Sequence, residues 1–208
     1  MKFFWVGLCL LLFSFFSTDF FEVASADSVD RMLDRFDSLT NYTALLDSEG
    51  EGGRNRIYYT YQKPGFMRMD FIEPHKGARL IYNPESKRVH LQPFSGSLIQ
   101  LRLSPENRLI RDPKGHTVDR SDIGSLLKTV KKYADEGIVT LLSPESVDGL
   151  LCEGVLVEAE GTVWFLWVHP ELGLPVKVER FSDGGEGEIV FLRRLQVDVE
   201  LGKDVFLP

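Results

Sequence analysis

Reactive side chains are few in this sequence, and their spacing limits the chemistry open to it. The four histidines, His75, His90, His116 and His169, are scattered, and no pair stands at the i, i+4 spacing of a helical zinc site. His116 precedes Asp119 and Asp122, which would suit a metal or an acid–base pair; Asp and Ser just ahead of a helix are accounted for more simply as caps. There is no Gly-x-Ser-x-Gly elbow, and Gly184-Gly185-Glu186-Gly187 lacks the lysine and following helix of a phosphate loop. The acidic Glu49-Gly50-Glu51 reads as a solvated hairpin turn. The residues therefore predict a protein that is not an enzyme and carries no cofactor and no metal.

The N-terminus directs attention to compartment. Lys2 precedes an apolar run from Phe3 to Phe16, and Ala24-Ser25-Ala26 has the small-x-small pattern of a signal peptidase site. The run is shorter than the ~20 apolar residues needed to span a bilayer, so residues 1–26 are expected to be a cleaved signal peptide and residues 27–208 one exported domain. Lys2, Asp19 and Glu22 lie in that segment, and their removal takes the net charge from −7 to −6. An acidic chain without a basic tract makes nucleic acid and anionic membrane surfaces poor partners. Cys9 leaves with the signal, so Cys152 has no intramolecular partner and reads as a small buried hydrophobe in Leu150-Leu151-Cys152.

Two segments have helical periodicity. Val29, Met32, Leu33 and Phe36 share one face of a helix of about three turns, with Asp27 or Ser28 available as its cap. Ile123, Leu126, Leu127 and Val130 share a face of a second helix, with Asp119-Arg120-Ser121 as a capping region, Lys128, Lys131 and Lys132 toward its end, and Gly137 stopping it. Elsewhere the period is two. Tyr59 and Tyr61 alternate with Tyr58 and Thr60, Met67, Met69 and Phe71 with Arg68 and Asp70, and Val89 and Leu91 with Arg88 and His90. Turns at Pro64-Gly65, Asn83-Pro84 and Ser95-Gly96 separate these runs too closely for parallel crossovers, which predicts an antiparallel meander of about ten strands.

The fold class is thus α+β and strand-rich: a strongly curved antiparallel sheet with helices plugging the concave face. Two helices are a thin plug for so long a sheet, and methionines adapt to an imperfectly filled interior. The candidate ligand-binding residues of an apolar chamber are Tyr59, Tyr61, Met67, Met69, Phe71, Leu80, Tyr82 and Leu91 on the sheet, with Met32, Phe36, Leu127 and Val130 on the helices. The same pattern describes an ordinary filled core, and periodicity does not separate the two.

Lys63-Pro64-Gly65-Phe66-Met67-Arg68-Met69-Asp70, then Glu73-Pro74 and Leu80-Ile81-Tyr82-Asn83-Pro84, resembles the LolA/LolB-like superfamily of periplasmic lipoprotein carriers. Leu166-Trp167-Val168-His169-Pro170 with Gly173-Leu174-Pro175-Val176, and Val197-Asp198-Val199-Glu200-Leu201 with Val205-Phe206, resemble the family's later strands and terminal Phe, in the family's order. The resemblance implies an incomplete β-barrel closed by helices, and a monomeric periplasmic carrier that takes the acyl chains of lipoproteins or lipids from an inner-membrane donor and delivers them toward an outer-membrane acceptor protein. The alternative is a non-catalytic envelope module that senses lipid on the same fold. Lys63 stands where the best-known carriers have an arginine that ties lid helices to sheet; it is the lid-contact candidate, with a point charge in place of a bidentate fork. The polar stretch Leu103 to Val118 has no clear counterpart in the family.

Overall fold

The computed structural model describes residues 19–50, 53–111, 115–185 and 187–208, with side chains from Asp27 onward. Helix α1 (Asp19–Ser38) leads into β1 (Asn41–Gly50), β2 (Gly53–Gln62), β3 (Phe66–Glu73), β4 (Arg79–Asn83), β5 (Arg88–Gln92) and the short β6 (Leu101–Leu103). A single 3-10 turn (Val118–Arg120) precedes α2 (Ile123–Glu136), and β7 (Ile138–Val147), β8 (Leu150–Ala159), β9 (Thr162–Val168), β10 (Pro175–Ser182) and β11 (Glu188–Val197) follow.

All eleven strands form one antiparallel sheet in the order β6-β5-β4-β3-β2-β1-β11-β10-β9-β8-β7. The expected single meander is therefore two meanders, joined where β1 pairs with β11. The sheet does not close, because β6 and β7 are both edges. Leu101–Leu103 was too short to show a period and is the strand the sequence did not reveal.

Strand alternation sets which side chains meet the helices. On β3, Met67 and Met69 are buried while Arg68 and Asp70 face the other way and pair with each other and with Arg79. Cross-strand register then aligns the apolar side chains into two rows. One runs Ala44, Tyr59, Met69, Leu80, Leu91; the other runs Tyr42, Tyr61, Met67, Tyr82, Val89. In the C-terminal half Val155, Val157, Trp164, Leu166, Val178 and Leu192 continue this buried surface.

The helices differ from expectation at their starts. Asp27 and Ser28 are not a cap, because α1 runs back through Asp19 and they lie inside it. For α2 the cap is Asp122: its carboxylate accepts the Ser125 N–H at 3.0 Å, while Asp119-Arg120 form the preceding 3-10 turn. The lysines do not neutralise the C-terminus of α2, whose last turn has no basic residue; Lys131 instead pairs with Asp135 and, at 3.5 Å, with Asp30 of α1. Gly137 ends α2 as expected. A Cβ there would come within 2.1 Å of the Glu158 carbonyl, so only glycine lets the chain turn this close to β8. After β6 the chain makes a hydrogen-bonded turn at Pro105-Glu106-Asn107, with the Asn107 N–H donating to the Ser104 carbonyl.

Candidate functional site

The two helices pack on each other and together cover the two apolar rows. Helical spacing explains the lid: Met32 and Phe36 are one turn apart on α1, and Leu127 and Val130 are one turn apart on α2, with all four buried. The twelve chamber residues named from the sequence all fall within one apolar cluster. Ten are buried, and Phe71 and Leu91 are half-buried at its margin. Lid and floor are in direct contact here, with Leu127 and Val130 at 0% exposure and Met67 at 2%. The Met69 side chain sits mid-row between Tyr59 and Leu80.

Aromatic and polar ties hold the lid at one end. Phe36 of α1 lies 5.5 Å from the Tyr61 ring, which is 5.1 Å from Tyr42. The Tyr42 hydroxyl accepts the N–H of Ile123, the first residue of α2, at 3.1 Å. Tyr59 reaches the Ser121 hydroxyl at 3.5 Å. Burial pushes the Tyr42 and Tyr59 hydroxyls well up, and burial, with Asp122 and Asp37 nearby, pushes Tyr61 up to about 12. All three stay protonated at neutral pH and pack as neutral rings. Lys63 donates from Nζ to the Asp37 carbonyl at the end of α1 and stands 5.6 Å from the Phe36 ring centre. A point charge at a helix C-terminus is favourable, and Lys63 thus touches the lid through one donor.

Sequence reasoning missed Tyr42, Ala44 and the C-terminal half of the floor. It also missed that α1 and α2 meet at Gly124, where a Cβ would come within 2.2 Å of the Phe36 ring. The Trp164 indole N–H is buried on the floor with no hydrogen-bond partner, against the usual rule that buried donors are paired.

The opposite face is a separate layer. Val147, Cys152, Trp167 and Val176 form a second apolar cluster, and the Lys177 ammonium sits 3.9 Å over the Trp167 ring. Cys152 is a fully buried free thiol whose pKa burial raises. Nearby on the same face, buried Asp47 gathers Arg56 at 2.9 Å, Arg54 at 3.3 Å and Arg193 at 3.5 Å. No group of His, Cys, Asp or Glu among the described residues is placed to hold a metal ion, and no described helix is long and apolar enough to cross a membrane.

No family model matches the sequence, and no curated protein matches it. Solved structures do. A chain of the Pseudomonas aeruginosa MucA/MucB complex superposes with a TM-score of 0.55 at 14% identity, covering 89% of this chain and 61% of that one, so this chain spans under two thirds of its length. Lipoprotein LppX of Mycobacterium tuberculosis superposes at 0.54 with 9% identity, over 87% of this chain and 100% of LppX. LprF of Mycobacterium bovis superposes at 0.56 with 10% identity, over 88% of this chain and 98% of LprF. The open, curved eleven-stranded sheet with two helices on its concave face is therefore the LolA-like fold that these structures share.

Proposed function

We propose that the protein is a non-catalytic carrier of the cell envelope that holds the acyl chains of a lipid or a lipid-modified protein between α1 and α2 and the two apolar rows of the sheet. The observation that carries this reading is the asymmetry of the lid. Its buried face meets the floor through Met32, Phe36, Leu127 and Val130, while three polar ties, Tyr42 to Ile123, Lys63 to Asp37 and Arg35 to the Leu172 carbonyl at 3.0 Å, hold the start of α2 and the end of α1. Parting the lid from the floor exchanges apolar contacts, and fatty chains replace the Leu127, Val130 and Met32 contacts with equivalent apolar ones. Met67 and Met69, the most adaptable side chains of the floor, lie under it. The predicted signal peptide supports an exported, periplasmic site of action. Delivery runs from an inner-membrane donor toward an outer-membrane acceptor, with the ligand handed over unchanged. The twelve chamber residues are the ligand contacts, and Lys63 is the tether that releases.

The test is purification of the full chain from the periplasm without detergent, followed by organic extraction and mass spectrometry. A stoichiometric diacyl lipid or acylated protein is the expected result, and Met69→Asn is expected to lose it while keeping a native near-ultraviolet dichroism spectrum. Failure of the wild-type protein to bind any acyl chain from vesicles, or steady turnover of an ester substrate, overturns the reading.

A second reading, a module that responds to lipid by changing its grip on a protein, is favoured by one observation: the superposed MucB is in a complex with MucA. Partners that exchange when lipid is added to the purified protein would select it.

A further inference from the structure

At the far end of the second row from the lid ties, a cleft of about 320 Å³ opens beside Tyr82. Three segments distant in sequence build it. Lys87 and Arg88 come from the β4–β5 turn, which the Asn83 side chain fixes by accepting the N–H groups of Glu85 and Ser86 at 2.9 and 3.1 Å. Ser104 and Glu106 come from the turn after β6, with the Ser104 hydroxyl donating to the Glu106 carboxylate. Asp119 comes from the 3-10 turn before α2.

Three features mark this cleft as more than a surface dent. Tyr82 lines it and also belongs to the apolar cluster of the floor, at 8% exposure, so the cleft borders the packed floor. Asp119 lines it with Oδ1 buried and lacking any hydrogen-bond partner, an acceptor that lacks its donor. Its walls carry both signs of charge, two cations from one turn and two carboxylates from the facing segments.

We infer that the cleft seats the head group of a zwitterionic phospholipid, its phosphodiester against Lys87 and Arg88, its ammonium against Glu106 and Asp119, and its acyl chains passing Tyr82 onto the apolar floor. This rests on the carrier reading above and narrows its ligand class. Charge-assisted hydrogen bonds to phosphate and ammonium are the strong polar contacts available at such a mouth. The diacylglyceryl group of a lipoprotein has neither charge and would leave the buried Asp119 Oδ1 unpaired. Phosphatidylglycerol has the same phosphodiester but a neutral glycerol in place of the ammonium, and would bring no cation to the two carboxylates. Burial, with Asp119 and Glu106 close by, raises the Tyr82 hydroxyl and keeps it neutral.

The experiment equilibrates the full chain with vesicles of phosphatidylethanolamine, of phosphatidylglycerol, or of phosphatidylglycerol carrying diacylglycerol, all with the same acyl chains, and weighs the lipid on the re-isolated protein. Phosphatidylethanolamine is expected to load about tenfold better than phosphatidylglycerol or diacylglycerol, the ratio that one charge-assisted contact supplies. Glu106→Gln with Asp119→Asn is expected to erase the preference over phosphatidylglycerol, and Lys87→Gln with Arg88→Gln the preference over diacylglycerol. In parallel, water-soluble glycerophosphoethanolamine is titrated while amide resonances are followed, with shifts expected at Arg88 and Glu106. Equal loading of all lipids, unchanged by the variants, overturns the head-group site and leaves the carrier reading standing. Head-group shifts without any acyl-chain loading keep the cleft as a binding site and overturn the carrier reading. Absence of both overturns both.

Discussion

The Tyr42 hydroxyl on β1 accepts the backbone N–H of Ile123 at 3.1 Å, so the first turn of α2 hangs from a side chain 81 residues earlier in the chain. Both groups are buried, with Tyr42 at 1% exposure. Tyr42→Phe removes the acceptor and keeps the ring, leaving a buried N–H unpaired; a loss of ~1–3 kcal/mol is expected, measurable as a lower urea midpoint at unchanged m-value. Because the bond is a lid tie, the same variant is expected to exchange its α2 amide hydrogens faster than the wild type.

Gly124 of α2 packs directly against the Phe36 ring of α1, with no room for a Cβ between them. Gly124→Ala drives a methyl group into the Phe36 ring and is expected to cost ~1–3 kcal/mol. Phe36→Ala alone is expected to cost ~3–5 kcal/mol through the space it empties. The double variant should lose less than the sum, because the new methyl group occupies part of that space. Strict additivity in chemical denaturation would show that the helices do not meet here.

The Trp164 indole N–H has no partner, so Trp164→Phe removes an unsatisfied buried donor together with some apolar surface. A change within about 1 kcal/mol is expected, well below the ~3–5 kcal/mol of a large-to-small aromatic truncation. The comparison with Trp164→Ala in one melting series checks this.

Acid should weaken the fold through Asp47. Burial alone would raise its carboxyl, but the hydrogen bonds and charges of Arg56 and Arg54 outweigh burial and hold it below the usual carboxylate range. Asp70 is lowered in the same way by Arg68 and Arg79. A carboxyl depressed in the folded state adds stability above its unfolded pKa of about 4 and loses it as pH falls through the folded value. Asp47→Asn is therefore expected to cost ~1–3 kcal/mol at pH 7, with the gap to wild type narrowing below about pH 4. A gap that is constant with pH would assign the loss to shape rather than charge.

The Cys152 thiol is fully buried and its pKa is raised by burial. It is expected to resist a water-soluble disulfide reagent at neutral pH and to react stoichiometrically in denaturant, which a colorimetric thiol assay reads directly.

Local pattern made the lid and the N-terminal floor legible. Met32 and Phe36, or Leu127 and Val130, are one helical turn apart, and Met67 and Met69 alternate with the charged Arg68 and Asp70, so their faces could be assigned before any tertiary contact was known. The C-terminal floor was opaque for a physical reason. Strands β8 to β10 bury apolar side chains on both faces, Leu166 toward the helices and Trp167 away from them, which erases the alternation that fixes a strand's orientation. The β1–β11 pairing leaves no trace in a short window of sequence because its partners are far apart. The cleft at Tyr82 was hidden likewise, since Lys87, Glu106 and Asp119 converge only once three separate turns are in place. The start of α1 was misread because its cap was sought at Asp27, inside a helix that begins upstream.

The pairing of β1 with β11 also governs the order of assembly. Residues Asn41–Gly50 are made early, and the strand that must lie beside them, Glu188–Val197, is made about 150 residues later. Each half can zip its own hairpins by local contacts, but the central seam waits until Val197 has emerged from the ribosome or translocation channel. Closing so large a loop is entropically slow. During that interval the two half-sheets expose greasy inner faces and unpaired middle edges, and an early-binding chaperone or a nascent lid helix has the most to protect there.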